Sequence, residues 1–258
     1  MFGRRRTRIP PDGPFYKQRG WINSAAFLGF LVFMSLVALL TSDPAGREAD
    51  AAPGGQDPLA GIGGPLSPGD PQGVRQGADG RPEGCRTDDR DTAQPTAAPG
   101  DIGWERLGGL MVPTSPSAGP RRIDAGMWWC FARTPLGAVL AAHVIPIQLE
   151  GSAWRVVAEQ QLVPGDERDT FVAGMTATGG PDPENGAIAR FSGFALTSYS
   201  GDAATVRLLV ASRVGGHLSM SVTVLWRDGD WKVAPQEDGS PYSAAKQATP
   251  DGFLGWRG

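Results

Sequence analysis

The chain has 258 residues, of which 24 are basic and 27 are acidic, giving a net charge of −3. Its 37 glycines and 23 prolines are more than a compact fold of this length uses, so we expect one ordinary domain beside a long unstructured segment. The first 40 residues hold six basic side chains and one acidic side chain, and the remainder has a net charge of −8. Such an acidic region offers no broad basic surface, so direct binding of nucleic acid is not expected.

A charge-free stretch runs from Trp21 to Leu40. A helix over this length rises about 30 Å, enough to cross the hydrocarbon core of a membrane. The basic residues precede it, so the positive-inside rule predicts a cytoplasmic tail (residues 1–20), a signal anchor in membrane lipid (residues 21–41) and an extracellular remainder. Cleavage as a signal peptide is the alternative, but no small-residue cleavage site follows the apolar core closely.

Residues 42–100 contain no aromatic side chain and only four large aliphatic ones. They carry too little apolar surface to offset the entropy of ordering the chain. We therefore predict a disordered extracellular linker over residues 42–100 and a folded extracellular domain over residues 101–258.

Three helices are predicted in the first half of this domain, after a short edge strand at residues 104–112. Thr134 can cap a helix that has Pro135 at its first position, and residues 136–149 are apolar on every face, as expected of a helix buried in a core. Two more helices fit residues 152–162 and 166–177, each followed by a turn that contains glycine.

Beyond the helices, the apolar period changes from about 3.6 to 2, which is typical of strands. Helices followed by an antiparallel sheet indicate the α+β class. The polar tail ends with Phe253, Leu254 and Trp256, which we expect to dock on the domain. The four predicted strands cover residues 187–200, 203–214, 217–227 and 231–235.

The order of these elements, closing with Gly-Asp-Trp-Lys-Val at residues 229–233, resembles the cystatin/NTF2-like cone fold over residues 130–235. In that fold, helices pack on a bent antiparallel sheet, and the cone can hold a ligand. The resemblance implies an apolar cavity with a lining that includes Val139, His143, Phe194 and Trp226.

A second set of short motifs extends across the domain: Gly-Cys at 84–85, Pro-Thr at 95–96, Trp104, Gly108, Val-Pro at 112–113, Gly-Pro at 119–120, CFARTPLGA at 130–138 and Asp-Gly-Phe at 251–253. This set is similar to an uncharacterised membrane-protein family of high-GC Gram-positive bacteria that accompanies integrative and conjugative elements. The plan of one span and an external NTF2-like domain is also similar to bitopic assembly proteins of type IV secretion. The resemblance implies a scaffold in a DNA-transfer channel, with membrane or channel proteins and a second copy of the chain as partners. It carries over no catalytic residue and no cofactor.

Cys85 and Cys130 are the only two cysteines, and both fall on the predicted extracellular side, where disulfides persist. We predict a disulfide that ties the end of the linker to the start of the core helix, with two unbridged cysteines as the alternative.

No motif predicts a metal site or a catalytic triad. His143 and His217 are the only histidines, and the chain contains neither HExxH nor CxxC nor GxSxG. We interpret His143 as a core or pocket-lining residue.

Three functions remain open at this point. The first is a structural assembly protein that binds its partners through aromatic surface such as Trp128, Trp129 and Trp256, since tryptophan is enriched in interface hot spots. For Trp128 and Trp129, packing in the core is the alternative. The second is a tethered module that holds a small apolar ligand or an envelope component. The third is an isomerase-like enzyme, which would need a buried acid near a tyrosine hydroxyl.

Overall fold

The computed structural model describes residue 59 and residues 64–66, 80–181 and 188–256. All of them belong to one unit formed by residues 55–258. The predicted tail and anchor, residues 1–41, lie outside the described residues. Within the described ranges, no helix is both long enough and apolar enough to span a bilayer.

Three helices precede the main sheet in the described chain, as predicted: α1 (Pro135–Leu149), α2 (Trp154–Gln161) and α3 (Asp166–Ala177). The Oγ1 of Thr134 caps α1 by accepting a hydrogen bond from the N–H of Gly137 at 3.0 Å. Every residue of α1 except Leu136 is buried. The absence of a polar face is therefore explained by a helix that is covered on all sides.

The main sheet is antiparallel and has the strand order β10–β5–β6–β7–β8, and β9 pairs with the start of β7. Helix α1 packs against β5, β6, β7 and β8. Helices and antiparallel strands together confirm the predicted α+β class. The strands are β5 (Ile188–Tyr199), β6 (Ala203–Ser212), β7 (His217–Arg227), β8 (Asp230–Ala234), β9 (Lys246–Ala248) and β10 (Leu254–Gly255).

Two β-hairpins stand before α1, and the sequence prediction of a single strand at residues 104–112 is wrong. Strands β1 (Gly103–Leu107) and β2 (Leu110–Thr114) are separated by a turn in which Gly108 has φ +59°. Glycine adopts this left-handed conformation without steric cost, so the chain reverses inside the predicted strand. The second hairpin, β3 (Arg122–Asp124) and β4 (Met127–Trp129), was not predicted.

The domain begins earlier than predicted. We call the described residues before β1 the entry segment (residue 59 and residues 64–66 and 80–102). Leu59 and Leu66 are each 1% exposed, and Cys85 is 4% exposed. The linker prediction is therefore wrong for this segment. Its few apolar side chains cannot form a core of their own, but they add to the core of the domain.

We predict that Gly137→Ala lowers the free energy of unfolding by more than about 2 kcal/mol, because an added Cβ would collide with the backbone carbonyl of Ala132. Gly174→Ala in α3 is the matched control, since a Cβ there meets no atom within 4 Å. That change should stabilise the domain by about 0.5–1 kcal/mol. Urea denaturation of both variants tests this; equal effects would contradict the close approach of α1 to Ala132.

Candidate functional site

The two cysteines form the predicted disulfide between Cys85 in the entry segment and Cys130 at the end of β4. Both residues are buried. The bridge closes a loop across 45 residues. In the chain-entropy model, a loop of this size stabilises the fold by about 4 kcal/mol by restricting the unfolded chain.

Beside the disulfide, the carboxylate of Asp230 is fully buried and accepts three backbone hydrogen bonds. Its Oδ2 accepts from the N–H of Cys130 at 2.6 Å, and its Oδ1 accepts from those of Phe131 and Trp231 at 3.0 and 2.9 Å. Burial raises the pKa of Asp230 from 3.8 to about 6, and the three donors together with the charge of Arg81 oppose that rise. The carboxylate thus joins the start of β8 to the chain that leads into α1.

Arg81 of the entry segment lies in the same region and is 4% exposed. Its guanidinium donates to the carbonyl of Phe131 at 3.1 Å and forms an ion pair with Asp89 at 2.6 Å. It also stacks 4.7 Å from the ring centroid of Trp226. These contacts give the buried charge both an anionic partner and a carbonyl acceptor, so this cluster has a structural role.

A second cluster surrounds His143, which is fully buried within α1. Its Nδ1 donates to the carbonyl of Val139 at 2.8 Å, and its Nε2 accepts from the indole N–H of Trp256 at 3.2 Å. Indole can only donate, so the imidazole is neutral with its proton on Nδ1. Burial lowers the pKa of His143 from 6.5 to about 4, which agrees with this neutral form.

Trp256 also forms one wall of a surface groove with a volume of about 530 Å³, which we call the Trp256 groove. Strand β10 brings the chain here by pairing Leu254 with Phe194 and Gly255 with Gly193 of β5. Glycine is needed at 193 because a Cβ would lie 2.7 Å from the carbonyl oxygen of Leu254. The groove lining includes Trp104, Met111, Arg190, Leu209, Phe253 and Trp256.

The structure brings together three of the four predicted cone residues. Val139 and Phe194 are fully buried, and Phe194 lies 6.3 Å from His143 between ring centroids. Val139, His143 and Phe194 are all fully buried. Trp226 does not join them, because it faces Arg81 and lies 5.4 Å from Trp231 between ring centroids.

The sequence left Trp128 and Trp129 open between an exposed contact surface and core packing, and the structure buries both side chains, which are 9% and 1% exposed. Buried glutamines hold this strand inside the domain. Gln148 accepts from the N–H of Trp128 at 2.5 Å, and both Gln148 and Gln161 donate to its carbonyl oxygen, at 3.0 and 2.8 Å. Of the three predicted contact residues, Trp256 alone remains half-buried at a surface groove.

The other groove residues were not predicted as a site. Trp104, Met111 and Arg190 come from three separate strands, and no local motif joins them. The aromatic tail was the one sequence signal, and it docks on the domain as expected. In the part of the chain that the structure describes, no three His, Cys, Asp or Glu side chains are grouped so that they could hold a metal ion.

The structure defines a disulfide-bonded α+β domain with a packed helix, an antiparallel sheet and an aromatic groove. Residues 66–254 match the family model described as a domain of unknown function, DUF8175, and the chain belongs to this family. The matched region begins at the buried Leu66, in agreement with a domain that includes the entry segment. Comparisons with curated proteins and with solved structures gave no match.

We predict that Asp230→Ala lowers the free energy of unfolding by about 3 kcal/mol or more, since three N–H groups in a buried region lose their acceptor. Asp202→Ala is the control, because Asp202 pairs with Arg133 at the surface. We expect its effect to stay below about 1 kcal/mol. Chemical denaturation at pH 7 measures both, and a loss for Asp230→Ala no greater than that of the control would contradict a structural role for the carboxylate.

We predict that wild-type protein loses about 2 kcal/mol of stability relative to His143→Gln between pH 7 and pH 5. The folded-state pKa of His143 lies near 4, below the unfolded value of 6.5, so the unfolded chain binds the extra proton first as the pH falls. Asp230 has the opposite dependence, because its raised pKa makes the folded state less stable as the pH rises from 3.8 to about 6. Both proteins contain Asp230, so its contribution cancels. Urea denaturation of both proteins at pH 7 and pH 5 measures this. If both lose the same stability between these pH values, His143 is not held neutral.

Proposed function

We propose that this protein is a membrane-anchored structural protein, a scaffold component of a conjugative, type IV secretion-like DNA-transfer apparatus. The observation that carries the proposal is the attachment of the entry segment to the domain. A scaffold must hold its external domain in a defined position, and a segment fixed to the core transmits position better than a flexible tether.

The attachment has a covalent and a buried polar component. Cys85 is bonded to Cys130, and Arg81 is buried against Phe131 and Asp89. A disulfide fits an extracellular, oxidising location and supports an N-terminus in the cytoplasm with the domain outside.

The attachment also extends towards the start of the segment. The N–H of Leu66 donates to Gln160 at 2.7 Å, and its carbonyl accepts from the buried Nζ of Lys232 at 3.4 Å. That ammonium is 2.6 Å from Asp228, so its charge is paired. At the β7–β8 turn, Gly229 passes so close to the entry segment that a Cβ would lie 2.7 Å from the carbonyl oxygen of Gly80.

The proposal includes an NTF2-like fold. In support, helix α1, buried except at Leu136, lies against three long antiparallel strands (β5, β6 and β7) and the shorter β8, as in a cone-shaped domain. Strand β5 has register shifts near residues 188–190, 191–193 and 196–198, and such bulges bend a strand. A bent sheet can wrap around the helix.

Other membrane or channel subunits are the proposed partners, and a second copy of the chain is a further one. Trp256 supports this at one surface, because it presents a half-buried aromatic side chain beside Met111, which is 39% exposed. Aromatic and methionine side chains are enriched at interfaces.

DNA-transfer frequency tests the scaffold proposal. In a donor whose copy is cut to residues 1–54, we expect transfer to fall to the level of a donor that lacks the gene, because the whole unit of residues 55–258 is absent. Full-length protein supplied in trans should restore it. Unchanged transfer, or a host without any transfer system, would overturn the proposal.

A second variant examines the attachment itself. Replacing Cys85 and Cys130 together by serine removes the covalent link but leaves every other residue of the domain. If the fixed entry segment matters for assembly, transfer should fall while the folded protein stays in the membrane. Membrane fractionation and protease resistance of the domain serve as controls.

We also propose a second candidate function, a tethered module that binds a small apolar ligand. One observation favours it: the Trp256 groove has a volume within the range of small-molecule sites, and apolar and aromatic side chains dominate its lining. This groove lies outside the predicted cone.

A further inference from the structure

The Trp256 groove has apolar walls from three parts of the domain. The β1–β2 hairpin contributes Trp104 and Met111, the main sheet contributes Phe191 and Leu209, and the end of the described chain contributes Phe253 and Trp256. The rings of Trp104 and Trp256 meet edge to face, with centroids 5.9 Å apart. Such walls suit an alkyl chain, because removing each CH₂ group from water is favourable.

The charged side chain in the lining is Arg190, and it is exposed. A second guanidinium, that of Arg207, lies 4.7 Å from the ring centroid of Phe253. The lining formed by described residues includes no carboxylate. Two acids adjoin lining residues along the chain without joining the lining: Glu105 follows Trp104, and Asp251 follows Pro250 and accepts a hydrogen bond from Thr249 at 3.0 Å. In a chain with a net charge of −3, this surface is locally positive and favours an anion.

Ser192 adds a polar group that lacks a partner. Its carbonyl accepts from the N–H of Trp256 at 3.1 Å, but its buried Oγ has no hydrogen-bond partner among the described residues. An unmade hydrogen bond of a buried hydroxyl is unfavourable, and a ligand oxygen that displaced the groups covering this Oγ would supply the missing acceptor.

We propose that the Trp256 groove binds an amphipathic carboxylate, with its alkyl chain against Trp104 and Trp256 and its carboxylate on Arg190. This rests on the second candidate function above and gives its ligand class. A carboxylate fits better than a multiply charged headgroup, because one guanidinium in the lining pairs with one planar anion in a two-pronged contact.

Three ligands with the same alkyl chain separate charge from hydrophobicity: decanoate, 1-decanol and decyltrimethylammonium. The full-length protein in zwitterionic lipid nanodiscs is titrated with each, and tryptophan fluorescence is corrected for empty nanodiscs. We expect decanoate to bind about tenfold more tightly than 1-decanol, because only decanoate can pair its charged carboxylate with Arg190, and a charged hydrogen bond changes affinity by about this factor. Decyltrimethylammonium should bind most weakly.

Arg190→Gln should weaken decanoate binding about tenfold and leave 1-decanol unchanged. Arg86→Gln is the matched control, since Arg86 is also exposed and lies outside the groove lining. Met111→Asn removes apolar surface at a partly exposed position and should weaken both ligands.

Two outcomes would overturn the inference, and only the second would also overturn the proposal of a binding module. If decanoate and 1-decanol bind equally, or if Arg190→Gln behaves like Arg86→Gln, the carboxylate preference is wrong, but an apolar binding module survives. If none of the three ligands binds, the binding-module proposal fails too. Neither result bears on the scaffold proposal, which DNA transfer tests separately.

Discussion

The structure depends on how the short chain from Cys130 to Ala132 is held at the entrance of α1. Three groups fix its backbone: the carboxylate of Asp230 accepts its N–H groups, Arg81 donates to a carbonyl, and the indole of Trp231 donates to the carbonyl of Ala132 at 2.8 Å. This arrangement joins the entry segment, the sheet and the central helix at one place. The left-handed backbone of Cys130, with φ +72°, is held within it.

The two functional proposals rest on different observations, although the proposed partner contact at Trp256 and Met111 lies in the groove that the ligand proposal uses. The scaffold proposal depends on the entry segment, whose contacts lie around the disulfide and the β7–β8 turn. The ligand proposal depends on the groove between the β1–β2 hairpin and β10.

Local signals predicted much of the fold. Thr134 and Pro135 marked the start of α1, and the period-2 pattern of residues 217–227 coincides with β7. Burial of the entry segment could not be predicted in this way, because the backbone of Leu66 finds partners in the distant α2 and β8, at Gln160 and Lys232. The position of Trp128 stayed open between core and surface for the same reason, since the glutamines that hold its backbone lie 20 and 33 residues away. The groove combines separate strands, so no spacing of residues could reveal it.

Strand β10 has a consequence for solubility. Strand β5 has 12 residues and would otherwise form one border of the main sheet. Unpaired strand borders expose backbone N–H and C=O groups that can recruit another molecule into an aggregate. The two residues of β10 pair with Gly193 and Phe194 at the middle of β5 and so interrupt this edge. The large side chain of Trp256, next to β10, would hinder another strand from pairing along the edge. The same short segment that shapes the groove therefore guards the domain against self-association through its sheet.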